Sequence, residues 1–130
     1  MQSVANHRNT VLVVDDEPTI ITMARLALEP KGYTVIGACN GTEALELYAQ
    51  RNEDLALAIL DYMLPDILGD ELLERMSAIN ESVRFIAASG CSDDEIAPSF
   101  LVGTEAFLRK PFSVKELAER IDGIVLAPTG

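Results

Sequence analysis

The strongest constraint on this chain is a change of hydrophobic period that repeats five times along its length. Short apolar runs, "TVLVV" (10–14), "YTVIGA" (33–38), "LALAIL" (55–60), "VRFIAAS" (83–89) and "EAFLR" (105–109), alternate with segments of helical spacing. A continuous run such as 10–14 reads as a strand buried on both faces. After it, Pro18 suits the first turn of a helix, where a missing N–H costs nothing. That helix carries Ile20, Ile21, Ala24, Ala27 and Leu28 and ends near Pro30-Lys31-Gly32.

Asn40 and Glu43 open a second helix through about Arg51, with Ala44, Leu45 and Tyr48 inward. A loop with Pro65 and Gly69 leads to a third, which uses Leu72, Leu73, Met76 and Ile79. A short helical stretch follows the fourth strand. Ser113 and Glu116 form a capping box for the last helix, whose apolar positions are Val114, Leu117, Ala118, Ile121, Ile124 and Val125. Strands alternating with helices demand a parallel sheet covered on both sides. A closed eightfold barrel needs roughly 250 residues, and this chain has 130. The fold class expected is therefore α/β, an open doubly wound sheet of five parallel strands. Residues 1–9 read as a flexible tail, 10–126 as one domain and 127–130 as a second tail.

The formal net charge is −11. It argues against nucleic acid as a partner, because a grip on phosphates needs clustered Lys and Arg. No run of about 18 apolar residues suggests a membrane span. The polar start "MQSVANHRNT" has no apolar signal core, so a cytoplasmic location is expected. Cys39 and Cys91 lack metal or disulfide spacing and read as buried or half-buried thiols of a reducing compartment. His7, the only histidine, lies in the tail and is given no role.

In open parallel sheets the functional crevice lies beyond the carboxyl ends of the strands. Asp15 and Asp16 follow strand one, Asp61 follows strand three, Ser89 ends strand four and Lys110 follows strand five. Any one of these residues is ordinarily a cap or turn residue. The set is harder to explain that way, because clustered carboxylates destabilise one another unless positive charge sits among them. Hard oxygen ligands with open positions suit Mg2+. The acidic "DDEP" opening thus reads as half of a metal site.

"VLVVDDEP", "LAILDYMLPDILGDELL", "FIAASG" and "AFLRKPFSVKELAERI" together resemble the receiver domain of two-component response regulators, over residues 10–126. The resemblance implies a (βα)5 flavodoxin-like sandwich with strand order 2-1-3-4-5. It implies that Asp61 is the phosphoacceptor, charged from a kinase's phosphohistidine. Asp16 and Asp61 then ligate Mg2+ (or Mn2+) directly, Asp15 acts mainly through water, and the Met63 backbone carbonyl is a further ligand. Lys110 pairs with the phosphoryl oxygens, Ser89 donates a hydrogen bond to one of them, and Phe107 takes the aromatic switch position.

The partners implied are a sensor histidine kinase or histidine phosphotransfer protein. A downstream protein on the helix 4–strand 5–helix 5 face and a phosphorylation-dependent dimer also belong to that set. The only catalysis expected within the chain is self-catalysed phosphotransfer and dephosphorylation.

The chain departs from the family pattern at several positions. Leu68 stands where a capping residue is usual before helix three, and Pro98 falls where helix four should run. Phe107 replaces the commoner Tyr, so a plain core aromatic remains an alternative. Ser89-Gly90 is similar to receivers attached to hybrid sensor kinases. Competing readings are a docking module that is not phosphorylated, a flavin carrier of similar topology and an aspartate-dependent phosphatase. "DDEP" would repel a flavin phosphate, and the phosphatase family's Asp-x-Asp is missing after strand one.

Overall fold

A computed structural model describes residues 8–125 of the chain. The strands are β1 (Thr10–Val14), β2 (Thr34–Ala38), β3 (Leu55–Asp61), β4 (Arg84–Ser89) and β5 (Ala106–Arg109). The helices between and after them are α1 (Pro18–Leu28), α2 (Gly41–Arg51), α3 (Gly69–Ile79), α4 (Pro98–Val102) and α5 (Val114–Val125). All four strand pairings are parallel, in the order β2-β1-β3-β4-β5. This is the doubly wound flavodoxin-like sheet expected from the sequence.

The strands divide their side chains between two cores. Leu12, Val14, Ala58 and Leu60 join Ala44, Tyr48, Leu72, Met76 and Phe100 on the α2–α3–α4 side. Val11, Val13, Leu57 and Ile59 join Ala24, Leu28, Leu117 and Ile121 on the α1–α5 side. A fully buried Leu or Val contributes roughly 2 kcal/mol. A one-residue slip would exchange the two faces of a strand, so the register is firmly specified.

Helix ends follow local chemistry. Pro18 occupies the first turn of α1, and the chain leaves that helix through a 3-10 turn (Glu29–Lys31) to Gly32 at φ 97°. Asn40 Oδ1 accepts from Glu43 N–H at 2.8 Å, while Glu43 Oε1 reaches back to Cys39 N–H at 2.7 Å. Ser113 and Glu116 exchange backbone–side-chain bonds at 2.9 and 3.0 Å, which completes the capping box. Leu68 caps α3 without a side-chain hydrogen bond. Pro98 begins α4, and that helix is only five residues long.

Some expectations need correction. Strands β2, β4 and β5 begin one residue late: Tyr33 N–H donates to Leu28 in the turn leaving α1, and Val83 and Glu105 precede the first ladder pairs, Leu57–Arg84 and Ile86–Ala106. Ile79 is 46% exposed: it is the last residue of α3, beyond the buried stripe of Leu72, Leu73 and Met76. Cys39 is exposed, since it follows edge strand β2 in the turn before α2; Cys91 is half-buried as expected. His7, the side chain of Val125 and residues 126–130 lie outside the described residues.

Candidate functional site

Parallel strands deliver their carboxyl ends to one edge, and the register decides which residues meet there. Asp61 pairs with Ala88, and Ser89 pairs with Arg109. The ladder continues a step past the strands: Asp15 N–H donates to Ala38 at 3.0 Å, Tyr62 N–H to Ala88 at 3.2 Å and Lys110 N–H to Ser89 at 3.0 Å. The acids and the lysine are therefore fixed by main chain before any side-chain contact forms. The Lys110–Pro111 peptide bond is cis.

Above this edge lies an open crevice of about 790 Å³, lined by Asp16, Glu17, Asp61, Met63, Ser89, Cys91 and Lys110 among others. Lys110 Nζ sits 2.7 Å from Asp15 Oδ2, 3.2 Å from Glu17 Oε1 and 3.3 Å from Asp61 Oδ2. Asp15 and Asp61 are buried, while Glu17 and Asp16 are exposed. Glu17 N–H donates to Asp15 Oδ1 at 2.9 Å, and Met63 N–H donates to Asp61 Oδ1 at 3.3 Å. Buried Ser89 accepts from Cys91 N–H at 3.0 Å through its Oγ. That bond uses a lone pair and leaves the hydroxyl proton to donate elsewhere.

Burial pushes the Asp15 carboxyl up, against the pull of Lys110. It also pushes Asp61 up, reinforced by the Asp15 charge and opposed by Lys110. Burial alone would lower Lys110, but its close ion pair with Asp15 and the Asp61 charge hold it at about 12. The ammonium is therefore permanently charged at neutral pH, and the acids around it still outnumber it.

That imbalance is what a bound cation relieves. Carboxylate oxygens of Asp15, Asp16 and Asp61 come within 4.8 Å of one another. The 2.7 Å approach of Lys110 to Asp15 Oδ2 is an ion pair, yet the angle is poor for a hydrogen bond and that buried oxygen has no aligned donor. Oxygen-only donors with unfilled valence fit Mg2+, which prefers carboxylates plus water.

The structure thus brings Asp15, Asp16, Asp61, Met63, Ser89 and Lys110 to one crevice. Phe107 sits apart on β5, half-buried against the α2–α4 core, with the Arg109 guanidinium 5.2 Å from its ring centroid. Sequence reasoning passed over two residues. Glu17 was visible as the third acid of the run but carried no assignment. Tyr62 carried no reading; its hydroxyl accepts from Ala97 N–H at 3.1 Å and its ring packs on Phe100 at 5.2 Å, linking the end of β3 to α4.

A 2-1-3-4-5 parallel sheet with an acid triad and one lysine at its carboxyl edge defines the CheY-like class of α/β domains. The family model for the response regulator receiver domain matches residues 11–122. The chain belongs to that family, the receiver domains of two-component systems. It is 34% identical over 113 residues to the sensor kinase CckA of Brucella abortus, covering 86% of this chain and 12% of the kinase. It is 35% identical over 120 residues to the phosphate regulon regulatory protein PhoB of Pseudomonas aeruginosa, covering 89% and 51%.

Among solved structures, a CheY-like receiver domain protein from Methanospirillum hungatei superposes with TM-score 0.81 at 31% identity, covering 91% of this chain and 94% of the other. The chain spans about half or less of the length of these two curated relatives. Members of the family bind Mg2+ at an acidic pocket, are typically phosphorylated, and interact with histidine kinases or phosphotransfer proteins and with downstream partners. Among the described residues, no helix is long and apolar enough to cross a membrane.

Proposed function

We propose that Asp61 is the phosphoacceptor of this receiver and that the crevice transfers a phosphoryl group to it from a partner's phosphohistidine. The observation that carries this is Lys110, held within 3.3 Å of both buried acids at the mouth of an open crevice. An Asp61 oxygen forms the new P–O bond as the P–N bond breaks, and the electron pair returns to the imidazole. Phosphoryl transfer asks for in-line positioning and charge stabilisation rather than a general base. Lys110 pairs with the phosphoryl oxygens, and Ser89, whose hydroxyl proton is free, donates to one of them.

Asp16 and Asp61 hold Mg2+ or Mn2+ directly, Asp15 mainly through water, and the Met63 carbonyl supplies a further oxygen. The cation, when bound, contributes charge neutralisation at the transferring group. Mg2+-dependent phosphorylation by acetyl phosphate should give a phosphate-sized mass gain that Asp61→Asn abolishes. Persistence of the gain in Asp61→Asn would sink the assignment, and absence of any gain in the unmutated protein would favour a docking module.

Ser89 and Phe107 form the switch. When Ser89 turns to the phosphoryl group it vacates space that Phe107 fills, and the α4–β5–α5 face rearranges for a downstream protein or a second phosphorylated copy. Only such differential contact can shift the populations. Amide exchange with and without beryllofluoride should differ around residues 90–110; equal protection in both states would rule the switch out. The acidic charge of −11 supports a protein partner rather than nucleic acid.

A further inference from the structure

The loop between β3 and α3, residues 62–68, brings Met63 to the rim of the crevice. Its base is closed: Met63 and Leu68 form an isolated antiparallel bridge, and Gly69 N–H donates to the Tyr62 carbonyl at 2.7 Å. Its tip is fastened to a distant element. Asp66 Oδ1 accepts from Gly41 N–H at 2.8 Å, and Oδ2 accepts from Thr42 N–H at 3.0 Å and Thr42 Oγ1 at 2.9 Å. These donors belong to the first turn of α2, where backbone amides have no partner inside the helix.

The fastening is close. A Cβ at Gly41 would overlap the Ile67 side chain, so that side chain packs directly on the backbone of the first turn of α2. Helix α2 already has its own cap, Asn40 to Glu43. Asp66 is therefore not needed to start the helix. Bonds to the Gly41 amide, then to Thr42, hold the Asp66 carboxyl below its ordinary range, so the clamp is charged at neutral pH.

We infer that Asp66 is a positioning residue for the cation site: by clamping the loop tip to α2 it fixes the Met63 peptide beside Asp61. The inference rests on the phosphoacceptor reading, in which the Met63 carbonyl is a ligand. Met63 is the second loop residue after Asp61 ends β3, and its N–H already bonds Asp61 Oδ1. A carbonyl ligates well only when its peptide plane is held. Residues that hold a ligand from behind typically change metal affinity by about 10–100-fold when removed. Asp66 is itself exposed, so truncating it removes little packing.

The test is Mg2+ titration of the full chain, read by amide chemical shifts well below the melting temperature. Asp66→Ala should raise the Mg2+ Kd about tenfold, and Asp66→Asn, which keeps an acceptor oxygen, should recover much of that loss. At saturating Mg2+ the acetyl phosphate reaction of Asp66→Ala should run within about twofold of wild type, because Asp66 touches neither phosphoryl group nor cation. A purely structural Asp66 would lower the melting temperature and leave the Kd of the folded protein unmoved; a Kd within about twofold of wild type overturns the inference.

If Asp66→Ala does not fold, Thr42→Pro, tolerated in a first turn, removes both donors to Asp66 Oδ2, and an unchanged Kd there overturns the inference. Failure of wild type to bind Mg2+ or gain phosphate would defeat the phosphoacceptor reading itself. Normal wild-type behaviour with unchanged variants would defeat only the role of Asp66.

Discussion

Replacing Lys110 with Met removes the ammonium that lies between Asp15 and Asp61 while keeping much of the side chain's volume. At an effective dielectric near 20, contacts of 2.7 and 3.3 Å correspond to attractions of roughly 6 and 5 kcal/mol. The full loss is never felt, because a stranded carboxylate can take a proton instead. A carboxyl of ordinary pKa 3.8 costs about 4.4 kcal/mol to neutralise at pH 7. That sets a ceiling for one proton, and release of the buried ammonium's own desolvation lowers it further. Lys110→Met should therefore destabilise the cation-free protein by about 3–4 kcal/mol at pH 7, in line with breaking a buried pair.

The pH dependence identifies the cause. In the variant the buried acids rise further above their ordinary range, so the native state holds a proton that the unfolded chain lacks. Such a group contributes stability that is lost as pH rises, so the deficit should shrink by about 1.4 kcal/mol per pH unit on going from pH 7 towards 5. Wild type has a second limb. Its Lys110 stabilisation is complete below the unfolded value of 10.5 and is lost as pH rises through about 12. Tyr48, held near 12 by burial, titrates in the same window and in the same direction. The informative quantity is thus the difference between the two proteins. Urea denaturation at several pH values, with and without Mg2+, measures it. A deficit that is constant between pH 7 and 5 and indifferent to Mg2+ would refute the reasoning.

Tyr62→Phe deletes the hydroxyl that accepts Ala97 N–H at 3.1 Å and should cost about 1 kcal/mol, seen as a melting shift of roughly 4 °C. An unshifted transition would mean that water replaces the bond. Met63 and Cys91, two residues beyond Asp61 and Ser89, line the crevice with side chains that orient water poorly. Slow self-dephosphorylation should follow. Met63→Asn with Cys91→Glu should shorten the phosphoprotein half-life, each tenfold change being about 1.4 kcal/mol in barrier; an equal or longer half-life would clear both positions of limiting water attack.

The sheet was legible because buried parallel strands are written as continuous apolar runs, and β1 needs no partner to be recognised. Helix starts were legible where the cap is local, as at Asn40 and Ser113. Strand ends were less so: whether Tyr33 pairs in the ladder depends on a turn bond to Leu28. Ile79 and Cys39 failed for a related reason, since apolar character says what a side chain prefers, not whether the element extends far enough to cover it. The site divides in the same way. Asp15, Asp61, Ser89 and Lys110 could be found because strand order alone sends them to one edge. The clamp from Asp66 to α2 spans 24 to 25 residues. "PD" in a loop signals only a turn, and the donors are anonymous backbone amides.

The charge arrangement carries a further consequence. Lys110 is the partner of Asp15 and Asp61 and also the group proposed to meet the phosphoryl oxygens. It cannot serve all of them at full strength. A cation held by Asp15, Asp16 and Asp61 would supply charge neutralisation to those acids, which would leave the Lys110 ammonium to pair with a phosphoryl group. Without it, an anion would enter a crevice in which Asp15, Glu17 and Asp61 share one ammonium. Cation dependence of phosphorylation is in this view a property of one lysine shared among several acids, and Glu17, 3.2 Å from the same nitrogen, is the exposed member through which solvent and salt can tune it.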